Sequence, residues 1–156
     1  MQVLPAKKLI YGLGVPGQNH PDKALSKFFV YDQAGGKLLY NGGPPTKLLR
    51  AMMLADDGRA WYDADGLLQR YDPTTNTVNP TTIAVPGSGN IRAATQPDAQ
   101  GVIYGFTQAG DGFKFDTKTE AFSTLPASWI QPPLYTTVLR LSADGRYLYY
   151  VPGAHG

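Results

Sequence analysis

The stretch from residue 56 to residue 78, DDGRAWYDADGLLQRYDPTTNTV, decides the fold. Asp57-Gly58 supplies a tight turn, since both residue types tolerate positive φ. Trp61 and Tyr62 are strand formers that pack well on a pleated surface. Tyr71-Asp72-Pro73-Thr74 reads as a second turn, whose Asp can accept a hydrogen bond from its own backbone two residues on. The stretch is therefore a strand, a hairpin, a strand, a turn and a strand, with no helical periodicity.

Working outward, the same signals recur. Strand-sized segments after a turn appear as KKLIYGLG, DGRAWYDA, QGVIYGFT and DGRYLYYV. Strands ending in an aromatic residue and Asp give the pairs Tyr31-Asp32, Tyr71-Asp72 and Phe115-Asp116, at intervals of 40 and 44 residues. A third element precedes each Asp-Gly or Gln-Gly turn and carries Arg50, Arg92 and Arg140, at intervals of 42 and 48 residues. A period of about 40 to 50 residues is that of four-stranded propeller blades. The expected fold is all-β: β-propeller blades, each a four-stranded antiparallel sheet, in an incomplete ring within a single domain spanning 1–156. Residues 8–42 are expected to form the second to fourth strands of one blade, 47–84 and 90–126 a full blade each, and 137–151 the first two strands of another. That gives thirteen strands, too few for the usual closed ring of 4 to 8 blades. The sheet faces and edges left open are expected to be covered by missing blades of a longer chain or by self-association.

Composition agrees. Eighteen Gly and thirteen Pro are spread along 156 residues, as frequent turns require, while a single Glu stands against eleven Asp, the acid that favours turns over helices. A net charge of +2 with dispersed basic residues excludes a nucleic-acid arm. No apolar run approaches the ~20 residues of a membrane span, and the opening MQVLPAKK lacks a signal-peptide core. Without Cys there is no disulfide, thiolate metal site or cysteine nucleophile.

ADDGRAWYDADGLLQRYDPTTNTV resembles the blades of virginiamycin B lyase-like and related bacterial propellers, and LSADGRYLYYVPGAHG is similar to blades of large bacterial propeller proteins. The resemblance covers nearly the whole chain, but its motifs build hairpins and say little about chemistry. It implies the fold. In the lyase family a divalent cation and a histidine act at the mouth of the central channel, and His20 and His155 are the two histidines available for such a role.

Several residues stand out for chemistry. His20 and His155 follow related loops, VPGQNH and VPGAHG, and are either weak metal or anion contacts or plain loop histidines. Arg50, Arg92 and Arg140 lie on first strands, which line a propeller channel. They form either a guanidinium ring for a carboxylate or phosphate, or ion pairs with Asp of adjacent blades. Trp129, Ile130 and Tyr135, in the proline-flanked PASWIQPPLYT, are a partner surface or a loop folded over a blade edge. Asp111, between glycines, reads as a hairpin residue and not a cation ligand. No nucleophile elbow and no visible acid-base pair is present. The expected function is a module that binds a small ligand, an anion among the candidates, or a protein partner through channel-mouth loops. The alternative is a metal-dependent lyase- or lactonase-like enzyme whose site is shared with missing blades.

Overall fold

The computed structural model describes residues 1–14, 27–43, 50–87, 90–125 and 134–154. They form an all-β chain of consecutive antiparallel sheets that do not close into a barrel. The first sheet holds β1 (Gln2–Leu4), β2 (Leu9–Gly14), β3 (Lys27–Asp32) and β4 (Lys37–Gly42), hydrogen-bonded in that order. The second holds β5 (Met52–Leu54), β6 (Ala60–Ala64), β7 (Leu67–Asp72) and β8 (Thr77–Ala84). The third holds β9 (Ile91–Ala94), β10 (Val102–Thr107), β11 (Gly112–Asp116) and β12 (Ala121–Thr124), and the fourth only β13 (Leu134–Leu141) and β14 (Leu148–Ala154).

One strand escapes the sequence reading. The first sheet has four strands and not three, because β1 pairs with β2 from Gln2↔Tyr11 to Leu4↔Leu9. Three residues carry no alternation signal, and the 3-10 turn Pro5–Lys7 follows at once. The described strands thus number fourteen.

The turns follow local chemistry. Asp32, Asp72 and Asp116 each accept a hydrogen bond from the backbone N–H two residues on, at Ala34, Thr74 and Lys118. Such bonds favour the ionised acid: the Thr74 N–H holds the Asp72 carboxyl below the usual range, and the Thr119 and Lys118 N–H groups do the same for Asp116. In the looser third-sheet hairpin Asp98 takes the role of Asp57, accepting from Gln100 and Val102. Asp111 lies in the β10–β11 hairpin, where its backbone and carboxylate bond Thr107.

Alternation along the strands builds a separate core between each pair of sheets. Tyr11, Phe28 and Val30 of the first sheet meet Met52, Leu54, Tyr62 and Tyr71 of the second. Met53, Trp61 and Leu68 on its other face meet Ile91, Ile103, Phe113 and Phe115 of the third. Both faces of the second sheet are therefore covered, which is why Ala60, Trp61, Tyr62 and Asp63 are buried in succession. Each large buried side chain contributes about 1.5–3 kcal/mol. Phe113 lies across Gly105, its cross-strand partner, as Phe29 does across Gly12, and a Cβ on either glycine would overlap the ring.

The third interface is thinner: Ala93 and Phe106 against Leu139, with Leu148 beside them. Tyr147, Tyr149 and Tyr150 are 56%, 61% and 41% exposed. Among the described residues nothing packs on the outer face of the fourth sheet.

Polar clasps lock neighbouring sheets. Tyr11 donates its hydroxyl proton to the Gly58 carbonyl at 2.9 Å, and the Lys7 ammonium reaches the Asp57 carbonyl. Arg59 donates to Glu120 at 2.8 Å and to the Thr117 carbonyl at 2.9 Å, and Arg70 reaches the same Glu120 oxygen at 3.0 Å. The one Glu in the chain thus ties the second sheet to the third.

Candidate functional site

The first strands of successive sheets lie side by side. The Gln2 side-chain amide on β1 donates to the Met52 carbonyl on β5 at 3.1 Å, β5 packs beside β9, and β9 beside β13. This row of inner strands forms the wall of a cleft of about 340 Å³. Arg50, Arg92 and Arg140 all line it, together with Gln2, Gln96 and Thr137. Three arginines, two glutamines and a threonine thus line the cleft, and among the described residues no Asp or Glu does.

The arginines do not hold equivalent places, contrary to the expectation of a ring in register. Arg50 and Arg92 lie eight and nine residues before the glycines of their hairpins, Gly58 and Gly101, whereas Arg140 lies five before Gly145. Arg140 pairs across the strand with Tyr149, so it stands farther along its strand toward the hairpin. The intervals of 42 and 48 residues already differ, and the longer one ends at Arg140. The cleft is thus lined by two cations at one level and a third displaced along its wall.

Arg59 and Arg70 make ion pairs between sheets, both with Glu120. Arg140 donates to the Leu139 carbonyl at 3.2 Å, which steadies its head group without neutralising it. Arg50 is exposed and Arg92 half-buried. A guanidinium presents paired N–H donors that match a carboxylate or phosphate in two parallel bonds. A volume of this size suits a small ligand.

His20, His155, Trp129 and Ile130 lie outside the described residues, as does the side chain of Tyr135, whose backbone belongs to β13. Among the described residues no group of three or more His, Cys, Asp or Glu is placed to hold a metal ion. No described helix is long and apolar enough to cross a membrane.

Sequence reasoning missed Gln2, Gln96 and Thr137 as lining residues. Gln2 belongs to the short strand β1, and single amides and hydroxyls carry no spacing signal. Comparison of the chain with protein-family models and with curated proteins gives no match to either.

Proposed function

We propose that the chain is a β-propeller-type binding module whose inner-strand cleft holds a small anion, a carboxylate or phosphate compound. The observation that carries this reading is the convergence of Arg50, Arg92 and Arg140 on one cleft that no acidic side chain among the described residues lines. Arg50 and Arg140 bring like charges to a common space, and an anion there accepts their paired donors. Chemistry is not required of such a site, since its side chains bind and orient without supplying an acid or base. The lyase-like alternative rests on His20 and His155, and no observation on the described residues favours it.

The test is a thermal-shift and calorimetric titration with citrate and inorganic phosphate at constant ionic strength. A ligand that binds the native state raises the melting temperature in a saturable way. Arg50→Ala is expected to weaken binding about tenfold, the scale of one charge-assisted hydrogen-bonding group, with little loss of stability because Arg50 is exposed. An unchanged anion response in both Arg50→Ala and Arg140→Ala would sink the reading.

A further inference from the structure

The hairpins that follow β5, β9 and β13 share one frame. The N–H groups of Gly58, Gly101 and Gly145 each donate to the carbonyl three residues back, at Ala55, Asp98 and Ser142, over 3.0, 2.9 and 2.9 Å. Counted back from these carbonyls, Arg50 stands five residues away, Arg92 six and Arg140 two. Gln96, like Arg140, stands two residues away. Gln96 and Arg140 also line a second cavity of about 490 Å³ between the β9–β10 and β13–β14 hairpins, so they share one level where the cleft runs toward the turns.

In this frame the cleft is banded. Thr137 stands five residues before Ser142, level with Arg50, and makes that end polar. One step nearer the turns come Ala51, Ala94 and Val138, each four residues before its carbonyl and each lining the cleft. Met52 and Leu139 continue this apolar band by one more step. Gln2 reaches it from β1, with its amide N–H engaged by the Met52 carbonyl. Gln96 and Arg140 then form a second polar end. The offset from Arg50 to Arg140 is three residues, roughly 10 Å of extended chain at ~3.3 Å each.

Two polar ends separated by an apolar floor match a molecule that is charged at both ends and apolar between them. A compact anion reaches one end only. A carboxylate accepts two parallel bonds from a guanidinium, and each methylene that covers apolar surface adds to affinity. We infer that the anion of this cleft is a linear dicarboxylate with a methylene chain. One carboxylate meets Arg50, the chain lies over Ala51, Ala94 and Val138, and the other carboxylate meets Arg140 and Gln96. This inference rests on the anion-binding reading above and gives it a ligand class.

The test is isothermal calorimetry of the full chain with succinate, adipate, suberate and sebacate at constant ionic strength. Octanoate is the control with a single carboxylate, and citrate and inorganic phosphate are the compact anions. Affinity should climb with chain length, suberate binding about tenfold or more tighter than both succinate and octanoate. Arg50→Ala and Arg140→Ala should each reduce suberate to about the affinity that octanoate has for the parent chain. Both side chains are exposed, so either replacement leaves the fold intact. Saturable binding of citrate or phosphate, with suberate no tighter than succinate or octanoate, overturns the dicarboxylate and leaves the anion reading standing. A suberate preference that survives Arg140→Ala overturns it as well. Absence of saturable binding by every compound removes both.

Discussion

Asp63 shows how one residue records the strain of being central. It lies on β6 in the sheet covered on both sides, and only 3% of its surface is exposed. One carboxylate oxygen accepts a bond from the Gly66 N–H at 2.8 Å, while the other is buried without a hydrogen-bond partner. Burial pushes the carboxyl above its ordinary 3.8, the Gly66 bond opposing the shift and the charge of Asp65 adding to it. A carboxyl raised on folding contributes stability that is full below about 3.8 and is lost as pH rises through its folded value. Replacing Asp63 by Asn removes that loss. Urea unfolding of parent and Asp63→Asn across this range should show the stability difference moving in favour of Asn as pH rises. A constant difference would mean the carboxyl is not desolvated. The turn acids Asp72 and Asp116 shift the other way, so the difference between the proteins is the informative quantity and not either curve alone. None of this was legible in the sequence, where Asp63 resembles any turn-adjacent acid.

At the scale of elements, the hairpins and the clasps between them had different legibility. Asp-Gly and aromatic-Asp turns were readable because their bonds are local, between residues two to four apart. The clasp of Arg59 and Arg70 on Glu120 was not, because its partners are 61 and 50 residues apart. Glu120 is 17% exposed by its side chain and serves two guanidinium groups, which makes it more than a lone surface pair. Glu120→Ala should destabilise the chain by about 1–2 kcal/mol in denaturant unfolding. An effect within about 0.5 kcal/mol, the ordinary range of a surface change, would show that apolar packing alone joins the second and third sheets.

For the whole molecule, coverage falls from the centre outward. The second sheet is buried on both faces, the first and third have one face in a large core, and the fourth adds only a small one. Amide hydrogen exchange should follow that order, with β6, β7 and β10 slowest and β14 fastest, since protection tracks local burial. Equal protection of β14 and β6 would mean the sheets unfold as one cooperative unit.

The sequence by itself determined the strands, their hairpins and the repeat of about 40 residues, because alternation and turn chemistry act between near neighbours. It also named three arginines, of which Arg92 and Arg140 lie on first strands and Arg50 just before one. Only the tertiary structure decided that Arg50, Arg92 and Arg140 line one cleft, that Arg140 is displaced along it, and that β1 completes the first sheet. These outcomes depend on which face meets which sheet, and that is fixed by packing between residues far apart in the chain.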